Sequence, residues 1–291
     1  DKHRYQERMA AVVAATDGLT VVEGDAVALV DEVVAGRPRV VGLRLDDGRE
    51  LRGRHVILCT GTFLRGLMHV GDTRTLGGCE GAASSDGLSK ELARLGLQLR
   101  RLKTGTPPRL HAGSIDTSRL DPQAGDVDAR PFSFRTRRFA PPSHLCWLAY
   151  TTPRTHAIIR ENLHRSPLYA GSIAGQGPRY CPSIEDKVVR FADRDRHLLF
   201  LEPEGLETHE VYVNGISTSL PAEVQEAMVR SVPGLERAVL TRYGYAVEYD
   251  SVPSWQVGST LACKANDGLS LAGQILGTSG YEEAAAQGLV A

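Results

Sequence analysis

The last part of the chain joins a short apolar strand, a glycine-rich loop and the start of a helix. The apolar stretch runs from Leu269 to Gly273, the loop from Gln274 to Gly280, and the helix begins at Tyr281. Backbone amides at a helix N-terminus attract anions, and glycines let the backbone approach a ligand closely. The pattern predicts an α/β fold with an anion-facing site here. A plain strand-to-helix connection would have the same pattern, so both interpretations stay open.

Composition narrows the class of protein. With 291 residues and 42% hydrophobic content, the chain is long enough for one large domain or two. Its apolar runs are far too short to cross a bilayer. The five cysteines are odd in number and have no C-x-x-C spacing, which argues against a disulfide framework or a zinc site. We therefore expect a globular protein of the reducing cytoplasm without a bound metal.

The periodicity of apolar residues predicts a mixture of helices and strands. The chain gains prolines and arginines near Lys103 and returns to compact patterns after Leu198. We therefore expect a domain at 104–245, inserted between two parts of another domain at 1–103 and 246–291. Helices are predicted at 2–15, 85–95, 155–165 and from Pro221, and strands at 19–23, 26–34, 40–45, 50–52 and 55–59.

Charge is distributed unevenly along the chain. Residues 100–200 contain 17 Lys and Arg against 9 Asp and Glu, a net charge of +8, whereas the whole chain has a net charge of -1. This predicts an anionic partner for the basic third, although a solvated mixed surface would also explain it. A basic and aromatic cluster there suits phosphate contact and base stacking, or ordinary loop packing. It comprises Arg135, Arg137 and Arg138 with Phe132, Phe134 and Phe139.

One thiol lies in a setting that favours its ionised form. Cys181 stands between Arg179 and Lys187, and Pro182 and Ser183 can open a helix whose second turn holds Glu185 and Asp186. Nearby positive charge and a helix N-terminus both lower the pKa of a cysteine. A small buried hydrophobe is the alternative for Cys181. Cys59, Cys146 and Cys263 are predicted to be packing residues, and Cys79 is left undecided.

The segment Gly177 to Lys187 resembles a signature of the MnmG (GidA) family, flavoenzymes that modify the wobble uridine of certain tRNAs. The resemblance covers nearly the whole chain and is weakest before residue 30, at 121–143 and at 254–266. Further segments resemble the family in the same order: Lys103 to Arg109, Phe200 to Gly205, Asn214 to Pro221, Gly244 to Asp250 and Gly273 to Gly288.

The resemblance implies a fold and a missing element. It implies an α/β fold, with an FAD-binding Rossmann-like domain of the glutathione-reductase type and an inserted α+β NAD-binding domain. The sequence contains no G-x-G-x-x-G, the motif that holds the flavin pyrophosphate in this family. We therefore expect a fragment that lacks the N-terminal nucleotide-binding motif and the helical C-terminal domain.

The resemblance also implies a reaction. Members add a one-carbon unit from methylenetetrahydrofolate, together with an amine or glycine nitrogen, to the wobble uridine, using FAD and NADH. The GTPase MnmE is the implied partner, and a homodimer is the implied assembly. Cys181 would be the nucleophile that adds to the uracil ring. The alternatives are a folate-dependent tRNA uridine methyltransferase, TrmFO, and a non-catalytic tRNA- or nucleotide-binding module.

Site residues follow from these expectations. Lys103 and Arg109, like Arg179, suit phosphate or carboxylate binding, although a structural ion pair would explain each of them nearly as well. With the arginines of the basic cluster, Lys103 and Arg109 are the predicted tRNA contacts. Ser84 replaces Ser85 as a flavin contact if the alignment slips by one residue. The predicted flavin contacts are Val27, Thr60, Gly61, Ser85, Gln274, Gly277, Thr278 and Gly280. The predicted nicotinamide contacts are Gly177, Pro178, Arg179, Tyr180, Cys181, Pro182, Ser183, Ile184, Glu185, Asp186, Lys187, Val188, Val189, Arg190 and Phe191.

Overall fold

A computed structural model describes residues 1–140, 144–178 and 182–291 of the chain. Its helices are α1 (Lys2–Ala14), α2 (Gly87–Arg94), α3 (Pro153–Glu161), α4 (Ile184–Arg190), α5 (Ala222–Arg230) and α6 (Tyr281–Val290). Its strands are β1 (Ala26–Val34), β2 (Arg37–Leu45), β3 (Glu50–Arg52), β4 (Val56–Leu58), β5 (Leu67–Val70), β6 (Thr73–Leu76), β7 (Arg100–Thr106), β8 (Arg109–His111), β9 (Asp121–Gln123), β10 (Cys146–Tyr150), β11 (Leu198–Pro203), β12 (Glu210–Asn214), β13 (Leu240–Arg242), β14 (Tyr245–Ser251) and β15 (Leu269–Leu271).

The chain folds into two compact units. Unit 1 comprises Asp1–Asp17, Thr106–His164 and Ser183–Gly244. Unit 2 comprises Gly18–Gly105, Arg165–Pro182 and Tyr245–Ala291. Helix α1 thus belongs to unit 1, and the segment Arg165–Pro182 belongs to unit 2. The assignment of a flavin domain and an inserted domain stays a prediction.

Unit 1 is built on an antiparallel sheet of six strands in the order β13-β8-β12-β11-β10-β9. Alternate residues of the central strands, such as Leu199 and Leu201 in β11, are buried, as expected for a sheet with one face on the core. Helix α3 begins with the capping residue Thr152 followed by Pro153, a favoured helix start. Helices α3, α4 and α5 add Ile159, Val188 and Met228 to this core.

The described residues of unit 2 form three small sheets and helices α2 and α6. Strands β1-β2-β3 form an antiparallel meander, and β6-β5-β14-β7 form a four-stranded sheet. Strands β4 and β15 pair in parallel, with Val56 opposite Leu269 and Leu58 opposite Leu271. Their side chains share one core with Leu88 and Leu92, which are spaced four residues apart on α2.

The structure corrects some of the predicted elements. The strand predicted at 19–23 is wrong, because the structure has no strand there and Leu19 and Val21 are exposed instead of packed on a core. The helix predicted at 155–165 ends at Glu161 and is followed by a separate 3-10 turn at Leu163–Arg165. The meander, α2, α5, α6 and the apolar strand at 56–58 are confirmed.

The described ranges hold no candidate membrane-spanning helix and no candidate metal site. None of the helices formed by these residues has the length and apolarity that a bilayer crossing needs. The same residues contain no group of three His, Cys, Asp or Glu side chains that could hold a metal ion.

Gly268 offers a test of how β15 is placed. Its φ is +74°, its carbonyl oxygen accepts a hydrogen bond of 2.8 Å from the Val56 amide, and an added methyl group would overlap the carbonyl oxygen of Val40. Gly36 has a similar φ of +78° with open space around it. We expect Gly268→Ala to lower the free energy of unfolding by about 3 kcal/mol, from dihedral strain and overlap together. Gly36→Ala should cost only about 1 kcal/mol, from strain alone. Urea unfolding of both variants measures the difference, and equal losses would contradict the overlap.

Candidate functional site

The two loops predicted to contact the flavin follow neighbouring parallel strands of unit 2. Thr60 and Gly61 come just after β4, and the 3-10 turn Gly273–Leu276 comes just after β15. The Ala272 amide donates to the Leu58 carbonyl oxygen at 3.0 Å, which extends the pairing past the end of β15. Carboxyl ends of parallel strands meet at one edge of a sheet, where α/β proteins bind nucleotides. The structure therefore brings these two predicted segments together.

The loop after β15 is held in a defined conformation. Gly273 and Gly277 both have φ in the left-handed region, at +82° and +86°. The Gly273 amide donates to Gln287 Oε1 of α6 at 2.8 Å. The Gln274 side chain donates to the hydroxyl of buried Tyr249 at 3.0 Å. Gln274 is therefore oriented by a neighbouring side chain of β14 before any ligand binds.

The start of α6 is partly capped by its own side chain. Glu283 Oε2 accepts hydrogen bonds of 3.1 Å from the amides of both Ser279 and Gly280. A carboxylate at this position complements the positive end of the helix. An anionic ligand at this helix start would therefore have to share these two amides with Glu283. Thr278, just before them, is buried.

The remaining predicted flavin contacts also lie in unit 2. Ser85 is bonded to the chain that follows Gly61, because its amide donates to Phe63 O at 2.9 Å and its carbonyl oxygen accepts from Arg65 N at 3.1 Å. Val27 lies against Gly87, where any side chain would meet the Val27 backbone, and Val27 is itself partly exposed. Ser84, the alternative to Ser85, bonds Asp86 at 2.7 Å.

A buried hydroxyl at this edge fits a polar ligand. The Thr60 Oγ1 atom is shielded from solvent and has no hydrogen-bond partner among the residues that the structure describes. Leaving such a group unsatisfied costs about 1–3 kcal/mol. The residues present therefore fit a ligand with polar groups above Thr60 and Gly61, as a flavin nucleotide has.

The chain that leads into the predicted catalytic segment is clamped by a buried acid. Glu248 Oε1 accepts from the amides of Ala174 and Gly175 at 2.9 and 2.8 Å. His69 Nε2 lies 3.1 Å from Glu248 Oε2, and both side chains are buried. Next to this clamp, the Lys103 amide donates to Gln176 O at 3.0 Å. Burial raises the pKa of Glu248, but hydrogen bonds from His69 and the Gly175 amide and the charge of Arg101 outweigh it and hold that pKa below its ordinary value.

Arg179, Tyr180 and Cys181 lie outside the described residues, so the predicted roles of these three stay predictions. After them, exposed Pro182 leads to Ser183, which caps α4 in a reciprocal capping box with Asp186. Glu185 and Asp186 lie in the first turn of α4, so their predicted place in the second turn is wrong. The helix begins at Ile184, directly after its cap Ser183, which is later along the chain than that prediction required.

The nicotinamide contacts predicted on α4 divide into two groups. Ile184, Glu185 and Val188 face the core of unit 1 and are buried, whereas Val189, Arg190 and Phe191 are exposed. Lys187 is half-buried, which lowers its pKa, and its Nζ donates to the Gly215 carbonyl oxygen at 2.8 Å. Gly177 is exposed and Pro178 half-buried. The periodicity of the helix therefore leaves only part of the predicted run available to a ligand.

The chain is similar along its whole length to known proteins. A family model described as Glucose inhibited division protein A matches residues 1–291. The chain belongs to the GidA family. The tRNA uridine 5-carboxymethylaminomethyl modification enzyme MnmG of Myxococcus xanthus is 53% identical over 297 residues, covering 99% of this chain and 48% of that relative. The relative of the same name from Rhodopirellula baltica is 50% identical and covers 100% of this chain and 46% of its own length.

A solved GidA structure agrees with this assignment. The Aquifex aeolicus GidA structure in the form I crystal matches with a TM-score of 0.92 and 48% sequence identity. The match covers 100% of this chain and 49% of that one. It confirms the predicted α/β fold class. The chain spans about half the length of the curated relatives it matches.

The predicted tRNA contacts of this GidA-family chain lie in different settings. Lys103 is buried in β7. Arg109 is half-buried, donates to Glu204 Oε1 at 2.9 Å and to Pro107 O at 2.6 Å, and lies over the Tyr212 ring at 4.5 Å. The arginines of the basic cluster are exposed, beside the fully exposed Phe132 and Phe134: Arg135, Arg137 and Arg138. Of these five residues, the three arginines of the basic cluster present their charge to solvent most openly.

Four of the five cysteines are described, and one prediction about them is wrong. Cys59, predicted in the core, is exposed, because it follows β4 on the side opposite the buried Val56 and Leu58. Cys263 is buried as predicted, and burial raises the pKa of its thiol to about 11. Cys146 and Cys79 are partly exposed.

Sequence reasoning missed the buried polar groups of unit 2. His69 and Glu248 pair within strands β5 and β14, and Asp250 accepts from Arg101 at 3.0 Å. The available signal was a charged or ionisable residue at an otherwise apolar strand position, as in Leu67–Val70. Which residues would face one another could not be read from that signal.

The clamp on Ala174 and Gly175 gives a pH-dependent prediction. We expect Glu248→Gln to lower the free energy of unfolding by about 2 kcal/mol near neutral pH, because it removes a buried charge that accepts three hydrogen bonds. The pKa of Glu248 is lowered from 4.5, so its carboxylate contributes stability above that pH and loses it as the pH falls through the folded-state pKa.

Urea unfolding of Glu248→Gln at several pH values checks this. The difference from the unsubstituted protein should shrink below about pH 4.5. The control is Glu32→Gln, which removes the acid of an exposed ion pair with Arg52 and should change stability by less than about 0.5 kcal/mol. A cost for Glu248→Gln that does not vary with pH would contradict the carboxylate's role.

Proposed function

We propose that this chain acts in an FAD- and NADH-dependent enzyme that adds a carboxymethylaminomethyl or aminomethyl group to the wobble uridine of tRNA. The observation that carries the proposal is similarity along the whole chain to enzymes named for that modification, at 50% identity or more in the two relatives above. Methylenetetrahydrofolate is the proposed one-carbon donor. MnmE as partner, a homodimer as the assembly and the cytoplasm as the location belong to the same proposal.

The edge formed by β4 and β15 is the proposed flavin site. On the β4 side of this edge, FAD would contact Thr60, Gly61 and Ser85. On the β15 side, it would contact Gln274 and the segment Gly277 to Gly280. The unsatisfied Thr60 hydroxyl and the pre-oriented Gln274 side chain support this assignment. When bound, FAD would supply the redox chemistry of the reaction.

Cys181 is the proposed nucleophile toward uracil. A thiolate that adds to the ring double bond forms a carbon–sulfur bond, and the adjacent ring carbon gains the electron pair needed to attack a one-carbon unit. Loss of the proton from that carbon and expulsion of the thiolate restore the ring. Arg135, Arg137 and Arg138, which are exposed beside exposed phenylalanines, are the proposed contacts to the tRNA backbone and bases.

The nucleophile assignment predicts the outcome of one substitution in the intact protein. We expect Cys181→Ser to reduce wobble modification by at least about 10³-fold, because a serine hydroxyl is a far weaker nucleophile than a thiolate. The measurement is the modified nucleoside in digests of tRNA. Cys146→Ser, which changes a half-buried cysteine of β10, should leave the nucleoside yield unchanged.

Two results would count against the proposal. Full modification by Cys181→Ser would remove Cys181 from the chemistry. A methylated uridine as the product would favour the folate-dependent tRNA uridine methyltransferase instead.

The flavin assignment has its own test. We expect Thr60→Val to weaken FAD binding by roughly tenfold, because the substitution removes the hydroxyl group that would form a hydrogen bond with the ligand. Thr75→Val on exposed β6 is the matched control and should leave binding unchanged. The measurement is the visible absorbance of the intact protein with FAD, and added NADH should bleach it. A protein that binds tRNA but shows no bleaching would support the non-catalytic module.

A further inference from the structure

The sheet of unit 1 has a core face and a partly exposed outer face. On the core face, Leu199 of β11 and Val211 of β12 are buried together with residues of α3, α4 and α5. The alternate residues of these strands point the other way and are partly exposed. The outer face is the side of the sheet that carries Tyr150, Phe200 and Tyr212, which are all partly exposed.

These three aromatic residues form a row across the outer face. Phe200 pairs directly with Leu148 of β10 on one side and with Asn214 of β12 on the other. Tyr150 and Tyr212 are each two residues away from those partners, so each is a diagonal neighbour of Phe200. Diagonal neighbours in an antiparallel sheet are about 7–8 Å apart. The three rings therefore follow one another across β10, β11 and β12.

An arginine lies over the ring at each end of the row. The guanidinium carbon of Arg196 is 4.4 Å from the centre of the Tyr150 ring, and that of Arg109 is 4.5 Å from the centre of the Tyr212 ring. Arg196 is exposed. A guanidinium group held in this way offers a flat surface to a nucleobase and a positive charge to a phosphate. The row thus combines stacking surfaces with charge at both ends.

A cavity opens at the Tyr150 end of the row. Its volume is about 360 Å³, and Leu148, Tyr150 and Arg196 lie along its wall with Arg119 and Asp121. Sites for planar ligands are typically cavities of this size with apolar and aromatic walls and a few polar groups. Asp121 is exposed and disfavours a phosphate beside it. A base is therefore the part of a nucleotide that fits this cavity.

Two acids near the other end of the row already have hydrogen-bond partners. Glu204 accepts from Arg109 at 2.9 Å, and Glu202 accepts from Asn214 at 3.2 Å. The positive charge of Arg109 offsets that of Glu204, which limits repulsion of a phosphate group. The middle of the row, at Phe200, suits an uncharged base.

RNA is the occupant that this surface favours. The proposed tRNA contacts Arg135, Arg137 and Arg138 are exposed and lie in the connection between β9 and β10, the strands at one edge of the same sheet. The region 100–200 has a net charge of +8, which complements a nucleic acid. Three rings in a row match successive unpaired bases of an RNA loop, whereas a dinucleotide has only two bases.

We propose that the outer face of the unit 1 sheet is a stacking surface for unpaired bases of the tRNA substrate. Tyr150, Phe200 and Tyr212 would supply the rings, and Arg196 and Arg109 the flanking charges. The inference rests on the proposed function and extends it from the chemistry of one uridine to the binding of the loop that carries it.

The test measures how the intact protein binds two RNA probes. One probe is a hairpin with the sequence of the anticodon arm and an unpaired loop, and the other is a fully paired RNA duplex of equal charge. We expect Phe200→Leu and Tyr212→Leu each to raise the Kd for the hairpin about tenfold, because each removes one ring. The Kd for the duplex should stay within about twofold, since paired bases are not available for stacking.

Tyr243→Leu is the matched control. Tyr243 is partly exposed, and its hydroxyl donates to Glu226 of α5, a helix that packs on the core face. This substitution should leave the Kd for both probes unchanged.

Salt dependence separates stacking from phosphate contact. Arg196→Gln should lower the slope of log Kd against log salt concentration by about one for the hairpin, as the loss of one phosphate contact does. Phe200→Leu should leave this slope unchanged, because stacking releases no counterions. If Phe200→Leu does not fold, Tyr212→Leu makes the same comparison.

The outcomes separate this inference from the function on which it rests. Tenfold weaker hairpin binding with unchanged duplex binding supports the stacking surface. Unchanged hairpin binding in Phe200→Leu and Tyr212→Leu would overturn it, and so would equal losses for both probes. Weaker NADH binding or dissociation of a homodimer, with hairpin binding unchanged, would assign the row to another occupant and would also overturn it. A protein that binds the hairpin through these rings but makes no modified nucleoside would refute the proposed function alone.

Discussion

Parallel pairing between Val56–Leu58 and Leu269–Leu271 is the constraint on which the candidate flavin site depends. The two strands come from distant parts of the chain, and their carboxyl ends lie at one edge of the pair. The loop with Thr60 begins at the end of β4, and the loop with Gln274 begins at the end of β15. Parallel strands need a long connection between them. Here the connection from Leu58 to Leu269 contains strands β5 to β14 and helices α2 to α5. The local register of this pair therefore sets where a ligand can meet both loops.

Buried polar groups do the positioning in both units. In unit 2, Glu248 accepts hydrogen bonds from the amides of Ala174 and Gly175, and in unit 1, Glu185 accepts them from the Thr218 hydroxyl and the Ser219 amide. Each acid is buried and accepts hydrogen bonds from neighbouring donors, because a buried carboxyl without such bonds would destabilise the fold. The pKa values of the two acids are shifted in opposite directions: that of Glu248 is lowered, and that of Glu185 is raised by burial. At Glu248, hydrogen bonds from His69 and the Gly175 amide, together with the charge of Arg101, outweigh the effect of burial on the pKa, whereas at Glu185 burial is the largest effect.

Local patterns predicted much of the fold. Alternation and turn residues located the meander of unit 2, and the i, i+4 leucines located α2, because these signals depend only on neighbouring residues. The strand expected at 19–23 failed for the opposite reason: its β-prone residues lack a sheet to pair with, and pairing is not local. Cys59 failed similarly, since which side of a short strand faces the core depends on what packs against it.

The sequence by itself determined the family, the strand, loop and helix order at Leu269–Val290, and the residue types suited to a flavin and a tRNA. Motifs of this kind are carried by residues adjacent in the chain. Only the tertiary structure decided that Arg109 is engaged with Glu204, that α4 turns Glu185 into the core, and that His69 faces Glu248. These outcomes depend on contacts between residues far apart in the chain, and the cost of burying charge selects the partners once the chain has folded.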